Sequence, residues 1–310
     1  MSSSIRIGTR GSALALAQAN WLRSALQELA AAAEIELVTI QTSGDRFTDR
    51  SLRAIGGKGL FVKEIEEALL ARSIDCAIHS MKDLPAEIPP GLMIAAIPRR
   101  EDPRDVLVTR SGCPLMKLPH GARIGTSSLR RMALLRAMRP DLEVIELRGN
   151  VDTRLRRLEE GKFDAIVLAA AGLNRLGLSL ANAVPFDIDE FLPAIGQGAL
   201  AVETRDDEIR ALIAQLDDGE TRMAVAAERA FLRTVGGSCQ TPIAAHATLS
   251  GDRLDLKALI AQPDGTRVVL GADHGESAAA DSLGARLADR LLARGGKEII
   301  AAVFASEAAP

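Results

Sequence analysis

Apolar positions along this chain alternate between two periods. Short runs of branched residues are followed by longer runs whose apolar positions recur every three to four residues. Ile5-Arg6-Ile7-Gly8 reads as a strand. Ser12 is placed to cap a helix from Ala13 to about Ala32, with Leu14, Ala17, Trp21 and Leu22 on one face. Ile35 to Gln41 alternates as a second strand, and Phe61, Ile65, Ala68 and Leu69 mark the next helix. Ile74-Asp75-Cys76-Ala77-Ile78-His79 is the strand that follows. Such a βαβ rhythm predicts a largely parallel sheet covered by helices.

A charged stretch with a proline, Arg99 to Asp105, interrupts the rhythm. It then restarts: strand Arg123 to Gly125, helix from about Ser128, strand Leu142 to Leu147, helix from Val151, strand Phe163 to Leu168. Pro193 to Gly198 is a second break, after which Ala199 to Glu203 reads as a strand returning to the first lobe. From about Asp218 the order changes to a helix, several strands between Ile243 and Leu270, and a last helix from about Ser277 to Arg294. The expectation is two doubly wound α/β lobes and a smaller C-terminal α+β domain. The first lobe takes residues 1–99 and 199–217, the second 104–193, and the third domain 218–310. Two lobes joined by two crossings form a cleft, an arrangement that resembles two-lobed anion-binding proteins of the periplasmic-binding-protein type. Ligands of open α/β sheets favour such crevices.

Composition narrows the function. The net charge of −3 supplies no global attraction to nucleic acid or anionic membrane, so anion binding has to come from local arginine. With no Tyr, one Trp and seven Phe, stacking platforms for single strands are disfavoured. The first residues lack the apolar segment of a secretory signal, and no run is long enough to span a bilayer. Cys76, Cys113 and Cys239 are an odd, widely spaced set, which argues for a reducing compartment and a cytoplasmic, soluble protein. The four histidines lack metal-ligand spacing, so no metal site is expected.

Four strand-to-helix corners carry basic or hydroxyl groups. Gly125-Thr126-Ser127-Ser128-Leu129-Arg130-Arg131 places three hydroxyl residues at a helix start, where free amides and the positive end of the helix dipole attract anions. Arg148 and Arg154 flank a second corner, Thr9-Arg10-Gly11-Ser12 is a third, and Arg175 follows Ala171-Gly172-Leu173-Asn174 at a fourth. Arginine binds carboxylates bidentately and stays charged, so the array suits a ligand with many carboxylates. These six arginines (10, 130, 131, 148, 154 and 175) are expected to converge on the cleft. The glycine loop with Lys58 is not a nucleotide P-loop, because the G-x-x-x-x-G-K-[ST] spacing fails and Gly59 stands where a hydroxyl would hold magnesium. Asp83 falls at a strand's carboxyl end beside Lys82; in a basic cleft a carboxylate is useful only against developing positive charge. Cys239, a lone thiol after Gly236-Gly237-Ser238, is open to two readings: a buried small hydrophobe or a covalent attachment point. Residues alone leave a non-catalytic receptor for small anions as the rival to an enzyme.

The chain resembles the porphobilinogen deaminase (hydroxymethylbilane synthase) family. The motifs, in order, are RIGTRGSALALAQ at 6–18, GGKGLFVKEIE at 56–66, AIHSMKDLP at 77–85, REDPRD at 100–105, GTSSLRR at 125–131, LRGNVDTRL at 147–155, LPAIGQGAL at 192–200 and ERAFLRTVGGSCQTPI at 228–243. The resemblance implies a transferase of porphyrin and haem biosynthesis. It would join four porphobilinogen molecules head to tail with loss of ammonia. A dipyrromethane cofactor would be held by a thioether on Cys239, and Asp83 would be catalytic. Contacts to the cofactor would come from Lys82, Thr126, Ser127, Ser128, Arg130, Arg131, Arg148, Gly172 and Gln197, and contacts to substrate from Arg10, Ser12, Lys58, Arg148, Arg154 and Arg175. A monomer is expected, without nucleic-acid or membrane partners. Two positions depart from the family pattern: Ala54 stands where many members carry lysine, with Arg53 before it, and Ser238 replaces a glycine ahead of Cys239.

Overall fold

The computed structural model describes residues 4–46, 62–236 and 241–308. The chain separates into two compact units, Met1–Glu101 with Ala199–Arg222 and Asp102–Gly198 with Met223–Pro310.

In the first unit, strands β1 (Ser4–Thr9), β2 (Glu34–Thr39), β3 (Cys76–Ser80) and β4 (Leu92–Ala96) are joined by β10 (Leu200–Arg205) in the order β2-β1-β3-β10-β4. β1 pairs in parallel with β2 and β3, while β10 runs antiparallel to both its neighbours. The sheet is therefore mixed, not largely parallel. A strand that arrives from outside the unit has no crossover helix to reverse it. Helix α1 (Ala13–Leu29) covers one face over Ile5, Ile7, Cys76, Ile78 and Val202. After the short α2 (Ser43–Arg46), α3 (Lys63–Leu70) covers the other through Ile65, Leu69, Ile74 and Ala77. The buried stripe of α1 is Gln18, Ala19, Leu22 and Leu26, and Trp21 is 43% exposed, so the face inferred from Leu14, Ala17 and Trp21 is rotated. Small Ala19 lets the helix sit close to the sheet, and the Gln18 amide is buried because it donates to Ser80 Oγ at 2.9 Å.

The second unit repeats this plan. β5 (Asp105–Thr109), β6 (Arg123–Gly125), β7 (Glu143–Ile145), β8 (Ala165–Ala169) and β9 (Ala183–Pro185) take the order β7-β6-β8-β5-β9. Again the second strand in the order, here β6, pairs in parallel on both sides, and the strand that follows a crossing, here β5, is antiparallel to both neighbours. Helices α4 (Leu129–Met138), α5 (Val151–Glu159) and α6 (Ala170–Arg175) follow β6, β7 and β8. The short α7 (Ile209–Ile213) belongs to the first unit, and α8 (Gly219–Val235) leads into the C-terminal part. There β11 (Ile243–Ser250), β12 (Arg253–Ala261) and β13 (Val268–Glu276) form an antiparallel meander, followed by α9 (Ala280–Leu291) and α10 (Lys297–Ala308). Ala244, Leu259 and Ala261 of this meander share one core with Leu107, Ile124, Leu135, Val167 and Phe191.

Candidate active site

In the first unit Ile7 lies beside Cys76 and Gly8 beside Ala77, so β1 and β3 end at one edge of the sheet. Gly8 leaves room there for Ile74, whose Cδ1 would stand 2.3 Å from an added Cβ. Arg10 and Ser12 leave this edge from β1. Ser12 Oγ accepts the Ala15 amide at 3.3 Å and caps α1 as expected. Lys82 and Asp83 leave the same edge from β3 on one turn of 3-10 helix, Met81–Asp83. The turn is clamped by Met81 N–H donating to Ala199 O at 3.0 Å and Leu84 N–H donating to Met81 O at 3.2 Å. Asp83 is half-buried, and among the described residues its carboxylate makes no hydrogen bond or ion pair. A fixed, unneutralised carboxylate on a basic edge is well placed for a cation that forms transiently.

Deeper in this unit lie ionisable groups that pattern reading missed. His79 Nε2 is 2.8 Å from Glu203 Oε2, and both residues are buried. Glu66 of α3 is buried as well, and burial first, then the nearby Glu203 charge, push its carboxyl up to about 7. Polar residues inside apolar runs (Ala77-Ile78-His79 and Ala201-Val202-Glu203) were the available signal.

In the second unit β6, β7 and β8 end at one edge, and antiparallel β5 starts there, with Asp105 opposite Ala169. The corner after β6 is shaped by Gly125, where a Cβ would meet Leu147 Cδ2 at 2.7 Å and Phe163 Cδ1 at 3.0 Å. Thr126 Oγ1 accepts the Ser128 amide at 3.2 Å, and Ser128 Oγ accepts the Arg131 amide at 3.4 Å and caps α4. Among the described residues, the amides of Ser127, Leu129 and Arg130 have no partner, which leaves donors at the positive end of α4. Both arginines of the motif turn onto buried Asp105. Arg131 donates to Asp105 Oδ1 through Nε (2.9 Å) and Nη2 (2.6 Å) and to Val167 O through Nη1 (2.8 Å). Arg130 Nη1 donates to Asp105 Oδ2 (2.7 Å) and Leu192 O (2.9 Å), while its buried Nε has no partner among the described residues. Gln197 Nε2 donates to Asp105 Oδ1 at 3.1 Å and to Pro103 O at 2.7 Å. Two guanidinium groups on one carboxylate leave an excess positive charge. Asp105 was overlooked as the organiser; an Asp opening the apolar run Val106-Leu107-Val108 was its signal.

At the neighbouring corner Arg148 Nε lies 3.4 Å from Glu146 Oε1, and Arg154 Nε donates to Gly149 O at 2.7 Å. α5 begins there without a side-chain cap. Arg175 Nη2 donates to Gly198 O at 2.6 Å, and Gly172 is buried inside α6. Of the six arginines expected to converge, Arg10 thus belongs to the first unit and the other five surround one sheet edge of the second. Cys239 and Lys58, with Arg53, Ala54 and Ser238, lie outside the described residues. No group of His, Cys, Asp and Glu suited to a metal ion occurs among the described residues, and no helix there is long and apolar enough to cross a membrane.

Fold and corners define an α/β protein whose basic and hydroxyl corners stand at the carboxyl ends of parallel strands. Residues 5–212 match the family described as porphobilinogen deaminase, dipyromethane cofactor binding domain, and residues 222–293 the porphobilinogen deaminase C-terminal domain. Porphobilinogen deaminase of Syntrophotalea carbinolica is 53% identical over 97% of this chain and 96% of its own, and that of a Roseiflexus species 52% over 97% and 100%. Among solved structures, the periplasmic aliphatic sulphonate binding protein SsuA of Escherichia coli is 15% identical, with a TM-score of 0.41 over 76% of this chain and 71% of its own. The BenM effector binding domain with benzoate is 16% identical, with a TM-score of 0.42 over 76% and 94%. The chain belongs to the porphobilinogen deaminase family, which makes it a transferase of tetrapyrrole synthesis.

Proposed function

We propose that the chain joins four porphobilinogen molecules head to tail on a dipyrromethane held by a thioether to Cys239. Each addition releases ammonia, and hydrolysis then frees the linear tetrapyrrole hydroxymethylbilane. The second unit's corner fits the cofactor's carboxylates: excess positive charge on Arg130 and Arg131, the unpartnered Arg130 Nε, and open amides at the start of α4. Thr126, Ser127, Ser128, Arg148, Gly172, Gln197 and Lys82 complete its contacts in this reading. Bound there, the dipyrromethane supplies the pyrrole carbon that starts the chain. Arg10, Ser12, Lys58, Arg148, Arg154 and Arg175 neutralise the acetate and propionate groups of incoming substrate. The thiolate of Cys239 is a good carbon nucleophile, and its thioether resists hydrolysis.

Asp83 has the electrostatic part. When the substrate loses ammonia it becomes a cation, and a carboxylate about 4 Å away favours it by about 4 kcal/mol at an effective dielectric of about 20. The observation that carries this reading is the Asp83 carboxylate itself, held on a clamped turn with no cation consuming it among the described residues. In this proposal the enzyme is a monomer working in the cytoplasm. The test is an intact mass of the purified protein beside Cys239→Ser: the parent should carry the dipyrromethane mass, and the variant should be folded, unmodified and inactive. An unmodified parent with normal turnover would overturn it.

A further inference from the structure

The C-terminal meander has two edges, and they are treated differently. β11 is buried, and its Ala247 amide donates to Glu228 Oε1 of α8 at 2.9 Å. β13 is a nine-residue strand with an exposed outer face, without lysine or proline, and its Val268 and Leu270 are 37% and 51% exposed. A long, partly apolar edge of this kind is a template for pairing with another chain.

Its register with β12 places Val269, Gly271, Asp273 and Gly275 opposite Ile260, Ala258, Leu256 and Leu254. The carbonyls of Leu270, Ala272 and His274 point the other way, and each is taken by an arginine. Arg294 Nη1 donates to Leu270 O at 3.1 Å, Arg290 Nη2 to Ala272 O at 2.7 Å, and Arg286 Nη2 to His274 O at 3.4 Å. The arginines are four residues apart on α9 and the turn that continues it, and the carbonyls are two apart on an antiparallel strand. Four helical residues rise about 6 Å and two strand residues about 6.7 Å, so the two repeats stay in step. Asp273 holds the ladder, with Oδ2 2.9 Å from Arg286 Nε and 3.5 Å from Arg290 Nη1. Gly271 brings the helix close enough, since a Cβ there would stand 2.7 Å from Leu291 Cδ2.

We propose that Arg286, Arg290 and Arg294 act as a side-chain strand that occupies the open edge of β13 and prevents it from pairing with a second copy of the chain. The occupant is a second copy because the edge is self-complementary. Antiparallel pairing about Ala272 sets Leu270 against His274 of the other copy, with the Leu270 and Ala272 amides as the donors, because the His274 amide already donates to Asp273 Oδ1 at 2.9 Å.

The test is sedimentation velocity over a concentration series on the Arg286→Ala/Arg290→Ala/Arg294→Ala protein, with hydrogen exchange at Leu270 and Ala272. A species of about twice the parent's mass, growing with concentration and protecting those two amides, is expected. Adding Ala272→Pro, which removes the central donor, should restore the parent's behaviour. A folded triple variant that sediments like the parent at every concentration overturns the proposal. So does self-association that survives Ala272→Pro. Should the triple variant fail to fold, Arg290→Ala alone decides, since it opens the central carbonyl and leaves the outer rungs in place; unchanged sedimentation there is equally fatal.

Discussion

Two carboxylates of the first unit answer to different physics. Asp83 has no partner among the described residues, and in the proposed reaction its charge serves a cation that exists only during turnover. Asp83→Asn preserves shape and removes that charge, and kcat should fall about a hundred- to a thousandfold with little change in melting temperature. Lower thermal stability with near-normal kcat would make Asp83 a turn residue. Glu66 is buried beside Glu203 and His79, with Glu67 next to it on its own helix. Its folded-state pKa is raised, so the folded protein binds that proton more tightly than the unfolded chain does. The resulting stability is full below about pH 4.5 and is lost as pH rises to about 7. The raised value corresponds to about 3 kcal/mol. Denaturant midpoints of Glu66→Gln and parent at pH 5 and pH 8 should therefore diverge, the variant gaining relative to the parent at the higher pH. A difference independent of pH would show that Glu66 does not titrate there. Asp83 was legible in the sequence because it follows a buried-looking strand. Glu66 was not, because its proton depends on residues 13 and 137 positions away that only folding brings near.

At the scale of elements, the function rests on how strands become helices. The corner after β6 depends on Gly125, whose missing side chain lets Leu147 and Phe163 close over it. Gly125→Ala should force that packing apart, cost about 1–3 kcal/mol in chemical denaturation, and raise KM more than it lowers kcat. Normal stability and KM would show that the corner tolerates the methyl group. The helix starts at Ser12 and Ser128 were readable, since a hydroxyl before an apolar period is local chemistry. Strands β4, β5 and β9 were not. Each is a short apolar run whose strand character comes from partners distant in sequence. The exposed Trp21 makes the same point: periodicity set the helix, and the shape of the sheet beneath chose its buried stripe.

Across the larger of the two units, one buried carboxylate links three segments. Glu228 of α8 accepts the amide of Gly196 through Oε2 at 2.7 Å and that of Ala247 through Oε1 at 2.9 Å, joining the segment before β10 to the C-terminal meander. Glu228→Ala strands two buried donors and should destabilise the protein by about 3–5 kcal/mol. The denaturant midpoint measures it, and a loss under about 1 kcal/mol would mean that water replaces the carboxylate. The two sheets share one plan, 2-1-3 in parallel with an inserted antiparallel strand and an edge strand, yet no repeat is visible between their sequences. The plan resides in strand order, and apolar strands of different sequence satisfy it equally.

The sequence by itself determined the α/β rhythm, the basic corners, the lone thiol and the family, because these depend on residue type and short spacing. Tertiary structure alone decided which charges are spent and which are left available. Arg131 and Asp83 look equally functional in the sequence, but Asp105 takes three donors of Arg131's motif partner and of Arg131 itself, whereas no described residue takes the Asp83 carboxylate. Burial raises the cost of an unpaired charge, so a charge finds its partner only when folding has set which groups lie within hydrogen-bond reach.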